Sequence, residues 1–495
     1  MVSIIWFRQD LRLSDNPALH AAVARMKSCG GKLLAVYIDD QKWPKASVAG
    51  AASRCWLHHS LLALDHSLNG RLLVCSGDPA KILAELAEQT GADSVYWNRC
   101  YEPWQVQRDK QIKAKFKQRN IACQSFNGSL LWEPWQVLKK DQTPYKVFTP
   151  FYRRGCLSAQ VPREPLPAVD LNQDQLLDIS KLTRSSIDQL KLLPEHNWAD
   201  DMLARWQNTA GELQIGENAA KQRLATFLNQ GLAGYKQGRD FPSQSSVSRL
   251  SPHLHFGEIS ANQVWYAATD KVLADSGADT LQSDLDHFHS ELAWREFSYY
   301  LLYHFPEIPT ENFQKKFNNF QWKANEAYLL AWKKGQTGIP IIDAGMRELW
   351  QTGYMHNRVR MLVGSFLVKN LLQPWQEGAS WFFDCLVDAD LASNSASWQW
   401  VAGSGADAAP YFRIFNPVTQ AAKFDANGEY IRRYVPEIAA LPNKYLFDPS
   451  NAPDDILQQA NIKLGKDYPF AIVDLKASRE RALAKFKDLG SAIER

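Results

Sequence analysis

Two hydrophobic rhythms divide the chain. Up to about residue 130, short and mainly apolar runs at 3–7, 33–38, 72–75 and 94–97 end at polar or glycine-containing turns and predict strands. Between them, 17–26, 51–68 and 79–89 carry apolar residues at helical spacing. Strand and helix in alternation predict an α/β domain over 1–133, a doubly wound parallel sheet covered on both faces. Both rhythms fade over 134–204, which holds Pro162, Pro165 and Pro167 and predicts a long interdomain linker draped over the surface. From 205 to 495 helical spacing prevails, as in 219–232, 285–303, 324–334, 341–351, 358–372 and 474–493. Strand-like alternation is almost absent there, so the second half is expected to be a large all-α domain.

Composition narrows the class of protein more than its activity. Of 495 residues, 45% are hydrophobic and 22% charged, which excludes a disordered or fibrous chain. Lys and Arg number 56 against 53 Asp and Glu, a net charge of +3, so any surface for nucleic acid would have to be a local patch. Seven cysteines without a CxxC pair argue against a disulfide framework, a zinc knuckle or a cysteine-ligated cluster. A reducing compartment, the cytoplasm, is expected. The first ten residues are too briefly apolar for a signal peptide, and no stretch approaches the roughly 18 apolar residues of a membrane span. The outlying number is 18 Trp, of which nine lie between 265 and 400.

Some patterns imitate sites. Gly403, Gly405 and Ala408 match the letters of a dinucleotide fingerprint, but they follow no βα unit and run into Pro410. The first predicted strand likewise leads into Arg8-Gln9-Asp10-Leu11-Arg12 rather than a glycine-rich phosphate loop. His287, His289 and Glu291 look like metal ligands, yet only His287 and Glu291 share a helical face, so no metal is expected. No G-x-S-x-G is present.

Three segments place aromatic, amide and charged residues together inside otherwise apolar helices. Glu291, Trp294 and Arg295 share one face at i, i+3 and i+4. Asn357, Arg360 and Met361 repeat that spacing. Asp388, Asp390 and Asn394 then precede Trp398-Gln399-Trp400. A solvated face with ion pairs explains any one of these. Three within about 110 residues point instead to a buried polar pocket for a cofactor, because buried charges persist only when paired.

The segments at 6–12 (WFRQDLR), 145–151 (YKVFTPF), 248–252 (SRLSP), 294–297 (WREF), 355–361 (MHNRVRM), 398–400 (WQW) and 410–417 (PYFRIFNP) closely resemble, in the same order, those of the photolyase/cryptochrome family. The resemblance implies an α/β antenna domain and a helical domain that binds FAD. It is nearest to cyclobutane pyrimidine dimer photolyases through Glu291, Trp294, Asn357, Arg358, Met361 and Trp400. A (6-4) photolyase would have His where Asn357 stands. Asn394 resembles the repair enzymes rather than the Asp or Cys of plant or animal cryptochromes, while 251–258 and 387–391 are similar to plant cryptochromes. The expectation is therefore a bacterial dimer photolyase of the branch near plant cryptochromes.

That resemblance assigns expected roles. FAD would be held by Tyr235, Val247, Ser248, Arg249, Leu250, Ser251, Phe288, Arg295, Asn357, Arg360, Asp388, Asp390 and Asn394, with Arg360 paired to Asp388 to support a reduced, anionic flavin. Glu291, Trp294, Asn357, Met361 and Trp400 would receive a flipped-out dimer in UV-damaged DNA, and Arg239, Arg358 and Arg413 would hold phosphates. Trp398, Trp375 and Trp322 would carry an electron to oxidised FAD, whereas Trp332, Trp350 and Trp381 read as ordinary core. The antenna is expected to be methenyltetrahydrofolate near Tyr101, Glu102 and Trp104, with another chromophore or none as the alternatives. A monomer is expected. The rival reading is a cryptochrome-like blue-light photoreceptor, which would carry a further C-terminal extension; 474–493 reads only as a charged helix. A light-independent flavoprotein or DNA-binding module is the third class.

Overall fold

The computed structural model describes residues 1–40, 49–275, 279–411 and 413–491. Phe412 of the 410–417 motif and residues 492 and 493 of the terminal helical stretch lie outside the described residues. The chain divides into two compact units, one of 1–233, 248–306 and 387–391, the other of 234–247, 307–386 and 392–495.

The first unit contains a five-stranded sheet in the order β3-β2-β1-β4-β5. Its strands are β1 (Val2–Phe7), β2 (Lys32–Asp40), β3 (Leu72–Gly77), β4 (Ala92–Asn98) and β5 (Ala122–Phe126), all parallel. Every residue of β1 is buried, as a central strand covered on both faces must be, which is why it reads as an unbroken apolar run. Helices α1 (Pro17–Cys29) and α3 (Pro79–Thr90) start where the local chemistry dictates. Asn16 and Asp78 accept from Leu19 N and Ala80 N, each followed by Pro at the first helical position, and Gly30 and Gly91 end the helices at φ 60° and 64°. Helix α2 (Ala51–Ser67) and helix α4 (Pro103–Gln118) complete the alternation.

At the switch point of such a sheet a ligand crevice normally opens. Here the chain's own side chains fill it. Asn98 Nδ2 donates to Asp10 Oδ2 (2.6 Å) and Asn16 Oδ1 (2.7 Å), and Arg8 donates to Asp109 Oδ2 (2.7 Å). A Cβ on Gly128 would lie 2.4 Å from Asn98 Cγ, so the Gly128 backbone packs directly on that amide. The segment after the sheet domain is tied to it: Leu177 N donates to Leu33 O (2.8 Å), Ser185 N to Val74 O (2.8 Å), and Ile179 joins the sheet's core. The longer helices of the rest of the first unit are Glu217–Gln230, Ala261–Ala274 and Asp279–His304.

The second unit is helical among its described residues, built round Pro340–Thr352, Asn357–Ser365, Trp375–Cys385 and Leu391–Ala402. The 358–372 rhythm is one helix followed by a π-turn at Phe366–Asn370. No helix of the described residues is long and apolar enough to cross a membrane.

Candidate functional site

In the first unit, helix Asp279–His304 buries Phe288, Leu292, Phe297 and Leu301, leaving Glu291, Trp294 and Arg295 half-buried on another face. Trp294 is backed by Phe148, whose ring lies parallel to it at 3.8 Å. One indole face is thus covered, and the side chain is held flat. Arg295 Nη1 donates to Ser129 O (2.9 Å), and its guanidinium lies 5.0 Å over the Tyr299 ring. Glu296 Oε2 accepts Leu131 N (2.8 Å) and Trp132 N (3.2 Å), fastening that loop to the helix; burial pushes this carboxyl up to about 7.

Asp390 accepts from the Tyr299 hydroxyl (2.5 Å) and lies 3.7 Å from His255 Nδ1. Glu102, at the head of α4, accepts from Trp104 Nε1 (2.7 Å). Burial first, and then the neighbouring Asp390 charge, push Glu102 up to about 7. Arg108 sits over both Trp104 (5.1 Å) and Trp6 (4.8 Å) and pairs with Asp40 (2.8 Å), while the Tyr101 hydroxyl donates to Glu133 (3.1 Å). Leu250 is buried, Val247, Ser248 and Arg249 are half-buried, and Ser251 is exposed at the start of a short helix.

The imitation sites resolve into structure. His289 stacks on Trp265 at 3.6 Å, its Nε2 meets Trp265 O (3.2 Å), and burial pushes its imidazole down to about 4. Gly403 ends its helix at φ 85°, and Gln314 Nε2 donates to Gly405 O (2.9 Å).

In the second unit, His356 caps helix Asn357–Ser365: its Nδ1 accepts Arg358 N (3.2 Å), and its own N–H donates to Glu348 Oε2 (3.2 Å). That cap aims Asn357 outward and leaves Arg360 and Met361 half-buried. Arg360 Nε donates to Met355 O (2.8 Å). Arg358 pairs with Asp240 (2.6 Å), so a phosphate there would share its guanidinium. Arg239 lies 5.7 Å over the buried Tyr235 ring. Arg413 is exposed, and its carbonyl accepts the fully buried Lys369 amine (2.9 Å), which burial pushes down to about 8. Asn394 Nδ2 donates to Ala379 O (3.0 Å). Its carbonyl oxygen and its second amide N–H remain for a ligand.

The three tryptophans expected to carry an electron all lie in the second unit. The buried Trp398 ring lies on the backbone of Gly378, one turn into Trp375–Cys385, and Lys323 N, next to Trp322, donates to Leu372 O (2.9 Å). Trp400, two residues on, is half-buried. Trp332 is core and donates to Val363 O (3.1 Å), but Trp350 corrects the expectation made for it. It is 65% exposed on the outer side of Pro340–Thr352, where it stacks parallel to Trp381 at 5.9 Å.

Within the first unit, the carboxylates of Asp388 and Asp390 and the guanidinium of Arg295 are the kinds of acceptor and donor that the N–H and carbonyl edges of a flavin call for. Phe148, Tyr299, His255 and Gln399 escaped the sequence reading as site residues, although Phe148, His255 and Gln399 lay within segments quoted for the resemblance.

Residues 3–170 match the family model described as DNA photolyase, and 288–488 the one described as FAD binding domain of DNA photolyase. The chain is 47% identical over 491 residues to a deoxyribodipyrimidine photo-lyase of Agrobacterium fabrum, covering 98% of this chain and 97% of that one. It is 36% identical to cryptochrome-1 of Arabidopsis thaliana, covering 99% of this chain and 71% of the other. A crystal structure of a bacterial class III photolyase from Agrobacterium tumefaciens superposes with a TM-score of 0.91 at 45% identity, covering 99% and 98% of the two chains.

Proposed function

The chain belongs to the photolyase/cryptochrome family, and from that premise we propose that it uses light to split cyclobutane pyrimidine dimers in UV-damaged DNA. The observation that carries this reading is the near-full-length likeness to a deoxyribodipyrimidine photo-lyase. Bound FAD, reduced and anionic, supplies the light absorption and the single electron that opens the cyclobutane ring and is then returned.

The chain's own residues do the rest. Arg295, Arg360, Asp388, Asp390 and Asn394 would hold the flavin, with Tyr235, Val247, Ser248, Arg249, Leu250, Ser251 and Phe288 lining it. Asn394, with one amide N–H bound to Ala379 O, would offer its carbonyl oxygen or its second N–H to the flavin N5 edge. Trp294, backed by Phe148, offers its open face to a flipped-out dimer, with Trp400 as a second stacking surface and Met361 as a pliable apolar contact. Glu291 would hydrogen-bond a thymine carbonyl as negative charge gathers there, and Asn357 would bond the base edge. Arg239, Arg358 and Arg413 would meet phosphates, giving recognition by shape and charge. Trp322, Trp375 and Trp398 would pass electrons inward when the flavin is oxidised.

Methenyltetrahydrofolate near Tyr101, Glu102 and Trp104 is the proposed antenna, and a cytoplasmic monomer the proposed form; all seven cysteines are free, as a reducing compartment requires. The second reading is a cryptochrome-like photoreceptor, favoured by the likeness to the Arabidopsis protein. To separate them, chemically reduced holoprotein is irradiated with blue light beside dimer-containing oligonucleotides. Loss of dimers in light but not in darkness supports repair; dimers that persist in both overturn it.

A further inference from the structure

Trp375 is 1% exposed, and its Nε1–H donates to Asn312 Oδ1 at 2.9 Å. Asn312 is itself buried, and its Nδ2 donates to Asn318 Oδ1 at 2.9 Å, which keeps the amide oxygen turned to the indole. The loop carrying Asn312 is fastened on both sides by the buried amide of Gln399. Gln399 Nε2 donates to Ile308 O (2.7 Å) and Glu311 O (2.8 Å), and Gln399 Oε1 accepts Phe313 N (2.8 Å). Two amides are thus ordered so that one neutral oxygen faces one indole nitrogen.

We propose that Asn312 is a positioning residue that keeps Trp375 protonated when that indole loses an electron. The inference rests on the electron chain of the proposed function. An indole has one donor and no acceptor, and removing an electron makes its N–H strongly acidic. A carboxylate or imidazole at that nitrogen would take the proton and leave a neutral radical, a weaker oxidant. An amide oxygen accepts the hydrogen bond but is too weak a base to take the proton. The positive charge therefore stays on Trp375 at full oxidising strength and is filled from outside. In balance, Trp398 gives one electron to the bound oxidised flavin and takes one from Trp375. Trp375 takes one from Trp322, and half-buried Trp322 takes one from a thiolate reductant in solution, which leaves as a thiyl radical. No proton leaves Trp375 and no covalent bond changes. Because hydrogen bonds to charged groups are the stronger ones, the Asn312 contact favours charge on Trp375 over Trp398 by roughly tenfold or more.

The test is flash absorption spectroscopy on flavin-loaded protein carrying Trp322→Phe, which strands the charge on Trp375, followed by addition of Asn312→Asp or Asn312→Leu. With Asn312 in place the protonated radical-cation spectrum should persist until recombination. Asn312→Asp at pH 8 should convert it to the neutral-radical spectrum. Asn312→Leu should shift charge towards Trp398 by about tenfold or more. In flavin-free protein, Asn312→Leu should also move the Trp375 indole N–H resonance in a proton–nitrogen NMR spectrum. A neutral radical at Trp375 with Asn312 present, or indistinguishable spectra across the three proteins, would overturn the inference. Dimer splitting by chemically reduced wild-type protein bypasses the chain altogether, so a failure there counts against repair and not against Asn312.

Discussion

Gly378→Ala is a substitution whose sign is set by competition between helix propensity and packing. Gly378 lies inside helix Trp375–Cys385, where alanine is worth about 1 kcal/mol more than glycine. A Cβ there, however, would fall 2.1 Å from Trp398 Cη2, 2.4 Å from Cζ3 and 2.6 Å from Cζ2. Carbon pairs rest at about 3.5–4.0 Å, so the ring would have to retreat by about 1.4 Å. It has little room: Trp398 is 3% exposed, with Phe382 edge-on at 5.0 Å and Trp332 at 6.2 Å. Overpacking of this kind costs about 1–3 kcal/mol, and a rigid, enclosed indole puts the cost near the upper end. The net destabilisation is then about 2 kcal/mol, a fall of roughly 4–8 °C in Tm for a unit of this size. Photoreduction of bound flavin should slow as well, because the displaced ring is the proposed inner member of the electron chain. Thermal unfolding followed by circular dichroism, beside flavin photoreduction under steady light, checks both. An alanine variant as stable as the parent, or more so, would refute the packing of Trp398 on Gly378.

Other outcomes follow from the same reasoning. Lys369 has its amine pushed down from 10.5 to about 8, so between those values the unfolded chain binds a proton that the folded chain does not, and stability rises with pH across that window. Lys369→Met should gain on the parent by up to about 3 kcal/mol below pH 8 and lose that advantage by pH 10.5; parallel denaturation curves would contradict it. Trp294→Ala should weaken binding of a dimer-containing oligonucleotide about tenfold while flavin content is unchanged, since one stacked base is worth about 1–3 kcal/mol. Glu291→Ala should slow dimer splitting about a hundredfold without weakening flavin binding, as loss of a hydrogen bond to developing charge does, and unchanged single-turnover rates would remove Glu291 from that role.

What was legible in the sequence follows how local each cause is. The strand at Val2–Phe7 is legible because both its faces are buried, and α1 and α3 are legible because Asn16-Pro17 and Asp78-Pro79 act within a few residues of themselves. Helix α4 and strand β5 are not among the elements predicted. The helix buries only Gln105, Asp109, Ile112 and Phe116, and β5 is an edge strand with no fully buried residue. The Glu291, Trp294 and Arg295 face could be read from helical spacing alone. The ring behind Trp294 could not, because Phe148 is distant along the chain and its aromatic character serves a core equally well. Asn312 and Gln399 are ordinary amides in sequence, and only the fold brings one to an indole nitrogen and the other to the loop that carries it. Trp350 was misjudged because bulk suggests burial, whereas its position on the helix turns it outward.

The account's central claim is that light absorbed by the bound flavin drives repair, and an action spectrum tests it most directly. Chemically reduced holoprotein is mixed with dimer-containing DNA, and the rate of dimer loss is measured at successive near-UV and blue wavelengths against dark controls. The rate should follow the absorbance of the reduced flavin, with an added band if a folate antenna is bound, and should vanish in the dark. Dimers that persist at every wavelength, or a rate that does not follow the flavin's absorbance, would contradict the claim.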